Sequence, residues 1–253
     1  MELKHIKRMK LNERGRDFII GDLHGCFDLL EFKLNKVNFD DNRDRLFCVG
    51  DLIDRGPNSV ECAELIYEPW FFSTQGNHER LFFTYQLGIR AQTHDPGDFL
   101  YNGGMWALNE DKDQLTTLAK DMMEMMPYVI FVGDRKNGFA VTHARLNSGQ
   151  TNLDEFVWDR SFLYGIQRRA IDTSINVHER FGERIVLDPY DPTRRLVYVG
   201  HNTVNRGNTV LIDNHLMIDT GAYRFVAGEG RTNLDSRLTM VNHAEYLATL
   251  QAP

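Results

Sequence analysis

The chain has 253 residues, 42% of them hydrophobic and 26% charged, with a formal net charge of −7. That length buries a sizeable core in one large domain or two small ones, and the composition is that of an ordinary globular protein. The negative balance argues against a broad nucleic-acid surface, which needs a basic face.

Residues 1–17 read as a polar lead-in. Lys4, Lys7, Arg8 and Lys10 give it a basic flavour, but no apolar segment follows them, so no secretory signal is expected. Phe18–Ile20 predicts a first strand. Beyond Gly25, the residues Phe27, Leu30, Leu34 and Val37 recur at helical spacing. Leu46–Val49 predicts a second strand and the turn Gly56-Pro57-Asn58-Ser59 a second helix, with Ser59 as its N-cap and Val60, Ala63 and Tyr67 on the packed face. A third strand is expected at Trp70–Phe72, then mostly helix from Arg80 to Met126. Short strands follow at Tyr128–Val132, Phe139–Thr142, Leu196–Val199, Val210–Ile212, Leu216–Ile218 and Leu238–Val241. Met122, Met123, Met125 and Met126 read as adaptable core filler. Repeated strand-turn-helix units point to a layered α/β fold. The charged, Asp-Pro-interrupted stretch 164–195 reads as a cap or insertion within one catalytic domain spanning 1–253. The longest apolar stretch, Met125 to Val132, is far short of the ~20 residues a membrane helix needs, so no membrane contact is expected. Cys26, Cys48 and Cys62 are odd in number and lack CxxC spacing, which predicts a reduced, cytoplasmic protein.

Three strand ends carry the chemistry: Gly21-Asp22-Leu23-His24-Gly25, Gly50-Asp51-Leu52-Ile53-Asp54-Arg55-Gly56 and Gly76-Asn77-His78-Glu79. Singly, each has a plain structural explanation. The first would be a surface turn, the second an Asp–Arg pair at a helix start, and the third a helix capped by Asn77. Together they change the odds, because carboxylates after an apolar run are costly without a cation or donors to compensate them. Ligands in open α/β sheets also gather at the carboxyl ends of strands. His143 and His201 follow two further apolar runs. His5, His94, His178, His215 and His243 stand in polar or loop contexts and are assigned no role. Asp, His, Asn and His at strand ends form the donor set of a two-metal hydrolase.

The three motifs, in this order, resemble the signature of the phosphoprotein-phosphatase branch of the metallophosphoesterases, in particular its lambda-type phage and bacterial serine/threonine phosphatases. Further matching marks are Asn102-Gly103-Gly104, Thr142-His143-Ala144, Val157-Trp158-Asp159-Arg160, Gly200-His201 and Ile218-Asp219-Thr220-Gly221. The resemblance implies a β-sandwich of two mixed sheets flanked by helices in four layers, α-β-β-α. It implies that Asp22 and His24 hold a first divalent ion, that Asp51 bridges to a second, and that Asn77, His143 and His201 complete the second. Such ligands suit Mn²⁺ first, with Fe or Zn²⁺ as alternatives. A hydroxide bridging the ions would attack the phosphorus. His78, held by Asp54, would protonate the leaving group, while Arg55, Arg160 and Asn77 bind the phosphoryl oxygens. The expected substrate is phosphoserine or phosphothreonine in a protein or peptide, with phosphotyrosine as a weaker one.

A nucleoside-polyphosphate hydrolase of the symmetrical diadenosine tetraphosphatase kind is the alternative, since it shares all three motifs. The nuclease and phosphodiesterase branches expect Gly-His-x-His, whereas Gly200-His201 is followed by Asn202-Thr203. A binding module that keeps only the fold should have lost a ligand or the acid, and none is missing.

Overall fold

The computed structural model describes residues 6–89, 96–144, 191–204, 208–212, 214–226 and 238–252. Two mixed sheets flanked by helices form the α/β framework. In the smaller sheet β2 (Asp17–Ile20), β3 (Arg45–Cys48) and β4 (Phe71–Ser73) run parallel. A strand near the C-terminus, β10 (Met240–Asn242), pairs antiparallel with β2, giving the order β10-β2-β3-β4. The larger sheet contains β1 (Ile6–Met9), β5 (Val129–Val132), β6 (Phe139–Thr142), β7 (Leu196–Val199), β8 (Val210–Ile212) and β9 (His215–Met217). Its order is β1-β5-β6-β7-β9-β8, with β5–β6 and β8–β9 antiparallel.

The apolar runs are continuous because both faces of these strands are covered. Along β2, Phe18 and Ile20 face the helices while Ile19 faces the other sheet; Leu46, Cys48 and Phe47 divide in the same way along β3. Between the sheets, Ile19, Phe47 and Val49 meet Ile130, Val132, Phe139, Val141 and Tyr198. The Phe47 ring stacks on Phe72 at 5.3 Å and meets Phe139 edge-on at 5.2 Å. Each such side chain adds roughly 1.5–3 kcal/mol when fully buried.

The outer face of the smaller sheet is covered by α1 (Phe27–Lys36), α2 (Ser59–Glu64), α3 (Asn77–Leu87) and α5 (Lys112–Met125), through Leu30, Ala63, Phe82 and Met122. Between α3 and α5 come α4 (Pro96–Tyr101) and a 3-10 turn at Gly104–Asn109. Asp111 caps α5 by accepting the Asp113 and Gln114 amides at 3.0 and 2.9 Å. Two short helices, α6 (Tyr223–Val226) and α7 (His243–Gln251), follow β9 and β10. Among the described residues no helix is long and apolar enough to cross a membrane. All three cysteines are buried free thiols.

Several expectations need correcting. Phe18–Ile20 is not the first strand: within the lead-in Ile6–Met9 forms β1, paired parallel with β5. Its two inner positions are cationic, which hid the alternation, and both lie over aromatic rings, Lys7 over Phe72 and Arg8 over Phe131. Ser59 is not the cap of α2. Asn58 occupies that position, and the Ser59 hydroxyl instead accepts the Asp54 amide at 3.0 Å. Met125 is exposed rather than core. The stretch 164–190, read as a cap, lies outside the described residues, and only 191–195 of that segment falls within them.

His243 is no loop residue either. It starts α7, is buried, and links Tyr198 Oη and the Asn137 carbonyl, each at 3.0 Å. Burial lowers its pKa, so it folds as the neutral imidazole. Below the unfolded-state value of about 6.5 the unfolded chain takes up a proton that the folded chain refuses, and stability falls as pH drops. Denaturant titrations at pH 7.5 and 5.5 are expected to show this loss in the native protein and less of it in His243→Gln. An identical loss in both would remove His243 as its source.

Candidate metal centre

The parallel strands β2, β3 and β4 end side by side, and the loop after each carries one motif. Asp22 and His24 follow β2, Asp51 and Asp54 follow β3, and Asn77 and His78 open α3 beyond β4. From the larger sheet, His143 follows β6 and His201 follows β7. The centre therefore sits where the two sheets meet, with donors from both.

Asn77 is not a helix cap. Gly76 holds that position, and the side chain of Glu79 accepts the Gly76 amide at 2.7 Å. The Asn77 side chain is thereby released toward the histidines. Its Oδ1 lies 3.0 Å from His143 Nε2 and 2.8 Å from His201 Nδ1, and those two nitrogens are 3.1 Å apart. Asp51 Oδ2 stands between two imidazoles, 3.4 Å from His143 Nε2 and 3.6 Å from His24 Nε2. Among the described residues, His24, Asp51 and His78 form one group able to hold a metal ion, and Asp51, His143 and His201 another, each within 4.8 Å. Asp51 belongs to both. Asp22 is in neither group: its carboxylate accepts the His201 amide at 3.0 and 3.2 Å.

The histidines are oriented from behind. His24 Nδ1 donates to the Ile53 carbonyl and His143 Nδ1 to the Val49 carbonyl, each at 3.0 Å. That tautomer leaves both Nε2 atoms with a lone pair facing the centre. Burial, with His78 nearby, lowers the His24 pKa well below its usual value, and burial with His143 pushes His201 down to about 4. Burial would raise Asp51, but the surrounding imidazoles of His143, His78 and His24 hold it below the carboxylate range. Burial and the mutual repulsion of carboxylates raise Asp22, which faces Asp219 and Asp51.

These donors fit divalent ions. An ion bound at about 2.1 Å sets neighbouring ligand atoms about 3 Å apart, the spacing seen among Asn77, His143 and His201. A cation, or a proton on His201 Nδ1, accommodates electron pairs that face one another at that distance. Crowded carboxylates and neutral imidazoles with oxygen partners suit a first-row divalent metal.

Beside the donors, His78 Nδ1 donates to Asp54 Oδ2 at 2.7 Å, while its buried Nε2 has no hydrogen-bond partner among the described residues. Burial opposes protonation of His78, yet the Asp51 and Asp54 carboxylates outweigh it and its pKa is raised. Arg55 Nη1 lies 2.7 Å from His24 Nε2, and its guanidinium rests over the Tyr223 ring at 4.6 Å. Arg160 lies outside the described residues.

Sequence reasoning overlooked several neighbours. Buried Asp219 accepts the Gly221 amide and the Thr203 hydroxyl, both at 2.8 Å, and faces Asp22. Its signal was present, an aspartate directly after an apolar run. Glu79 accepts the Asp51, Leu52 and Gly76 amides at 3.0, 2.8 and 2.7 Å, clamping the second motif to the third. Gly76 and Gly200 are needed for close approach, since a Cβ at either would collide with a carboxylate oxygen, of Asp51 and Asp22 respectively. His24, Asp51, Asp54, Arg55 and His201 all have positive φ, between 44° and 73°. Such backbone is sparsely populated for residues with a Cβ and costs on the order of 1–3 kcal/mol each.

Two face-to-face sheets thus bring Asp, His and Asn side chains able to hold metal ions together at their strand ends, a donor set suited to a metal-dependent hydrolase. The chain belongs to the calcineurin-like phosphoesterase family, whose model matches residues 18–227. It is 29% identical over 216 residues to serine/threonine-protein phosphatase 2 of Salmonella typhimurium, covering 81% of this chain and 87% of the relative. It is 31% identical over 154 residues to serine/threonine-protein phosphatase 1 of the same organism, covering 58% of this chain and 69% of the relative. Symmetrical bis(5'-nucleosyl)-tetraphosphatase of Actinobacillus pleuropneumoniae is 32% identical over 143 residues, covering 55% of this chain and 48% of the relative. Among solved structures, a serine/threonine phosphatase from Saccharomyces cerevisiae shares the fold, with TM-score 0.59 and 15% identity over 94% of this chain and 83% of that one. The resemblance to the phosphoprotein-phosphatase branch therefore holds, and the family implies divalent metal ions.

Proposed function

We propose that the protein is a dinuclear-metal-dependent phosphomonoesterase that removes phosphate from phosphoserine and phosphothreonine in proteins. The observation that supports this best is the pairing of two functions side by side. One is the donor set centred on Asp51; the other is a histidine whose Nε2 is unpartnered among the described residues and whose Nδ1 is held by a carboxylate. A phosphate ester of an alcohol needs both, because the alkoxide leaves poorly without a proton.

In this reading Asp22, His24 and Asp51 hold one ion, and Asp51, Asn77, His143 and His201 the other. Manganese is the metal we would supply first. When bound, the ions lower the pKa of water and neutralise phosphoryl charge. His78 gives the Nε2 proton to the leaving oxygen, so the alcohol departs neutral and the phosphate keeps the incoming oxygen. Asp54 keeps the His78 ring turned to that task and stabilises its protonated form. Arg55 supplies a planar fork for the phosphoryl oxygens, and Tyr223 supports it from below. Arg160 is proposed as a second grip.

Relatives named as protein phosphatases cover most of both chains, whereas the tetraphosphatase match spans about half the length of that relative. This favours a phosphorylated protein over a dinucleoside polyphosphate. With Mn²⁺ supplied, kcat/KM for a phosphoserine peptide is expected to exceed that for diadenosine tetraphosphate by about tenfold or more. The reverse order would establish the polyphosphate hydrolase instead.

A further inference from the structure

We propose that Trp106 is a positioning residue for the proton donor, acting on His78 through Asp54. The inference rests on the acid role of His78 proposed above and adds a residue that none of the motif's letters indicates.

A carboxylate held at one oxygen can still swivel about its terminal torsion, which is broad. Asp54 is held at both. Oδ2 receives the His78 Nδ1 proton at 2.7 Å, and Oδ1 receives the Trp106 indole N–H at 2.7 Å. Both are short hydrogen bonds, and Asp54 itself is fully buried. The plane of the carboxylate, and with it the plane of the imidazole, is then fixed by groups at its two ends. An indole N–H donates only. Unlike a hydroxyl or a water, it cannot turn round and accept, so Asp54 is kept as an acceptor toward His78 as well.

Trp106 can do this because it is itself immobilised. It lies in the 3-10 turn Gly104–Asn109, its ring 5.6 Å from Phe82 and 6.2 Å from Phe99, which pack on each other at 5.5 Å. The same segment touches the second motif again, where the Arg55 amide donates to the Gly103 carbonyl at 3.4 Å. The Asn102-Gly103-Gly104 stretch thus brings a rigid aromatic unit under the loop that carries Asp54 and Arg55.

Trp106→Phe keeps the aromatic packing and deletes the N–H. Kinetics on two esters separate a positioning role from a packing one. A nitrophenolate leaves without a proton, whereas a serine alkoxide requires one. The variant is expected to lose about tenfold or more in kcat on a phosphoserine peptide and much less on p-nitrophenyl phosphate, with KM and metal content unchanged. In a His78→Asn background the same substitution should cost nothing further, since residues acting as a unit are not additive. Equal losses on both esters, or a loss that persists without His78, would overturn the inference. His78→Asn measured alone guards the premise. If it discriminates between the esters while Trp106→Phe does not, only the role of Trp106 falls; if His78→Asn does not discriminate, the acid assignment falls first and Trp106 with it. Should Trp106→Phe fail to fold, Trp106→Tyr offers a second ring without the indole N–H, read by the same pair of esters.

Discussion

Asp51→Asn is expected to lose both metal ions and to lower turnover by about 10³-fold or more, because bound cations supply several kcal/mol of charge stabilisation. The substitution changes one oxygen to an amide nitrogen, but it does so at the one side chain shared by both donor groups. Asp51 Oδ1 accepts the His78 amide at 3.0 Å, which keeps its oxygen on that side. The new NH₂ would then face His24 Nε2 and His143 Nε2, donating to the lone pairs meant for cations. Negative charge and two imidazole donors would be lost together. Metal analysis of protein purified with Mn²⁺, with circular dichroism to confirm folding, decides the matter. Full occupancy of both sites would refute a shared role for Asp51. Thermal unfolding gives a second measure: Mn²⁺ should raise the Tm of the native protein and leave that of the variant unmoved, since an ion bound only by the folded state stabilises it by mass action.

His78→Asn should behave in the opposite way toward metal. Its backbone N–H still serves Asp51, and the proposed ligand set does not include it, so metal content should be retained. Turnover of a phosphoserine peptide should fall by about 10²–10⁴-fold, the usual worth of a positioned acid. The geometry makes this a real choice, because His78 also lies within 4.8 Å of the His24 and Asp51 donor atoms. Loss of an ion in the variant would make His78 a ligand; unchanged turnover would remove it from catalysis.

Much of the framework was legible because these strands are buried on both faces and so appear as uninterrupted apolar runs. Phe139–Thr142, Leu196–Val199 and Val210–Ile212 match the expected limits, and others shift by a residue or two. The strand Ile6–Met9 was hidden because an edge strand can carry Lys and Arg, which cover aromatic rings with their stems and charged heads. The residues proposed as metal donors stood out for a different reason. Asp, Asn and His after a buried strand contradict ordinary burial preferences, and contradiction is itself a signal. Trp106 gave no such signal. An aromatic residue in a helical stretch is what packing alone would select, and only its 2.7 Å contact with Asp54 distinguishes it. Glu79 was visible as part of a motif, but two of its three amide partners, Asp51 and Leu52, lie on a segment that meets it only in three dimensions.

The five non-glycine residues with left-handed backbone around the centre bear on how this protein would respond to laboratory evolution. Glycine or asparagine adopts that conformation more readily than the side chains now present. Heat challenge without an accompanying assay would reward such replacements at His24, Asp51, Asp54, Arg55 and His201. The survivors would be hardy and inert, so any screen for robustness must be coupled to phosphate release from the first round.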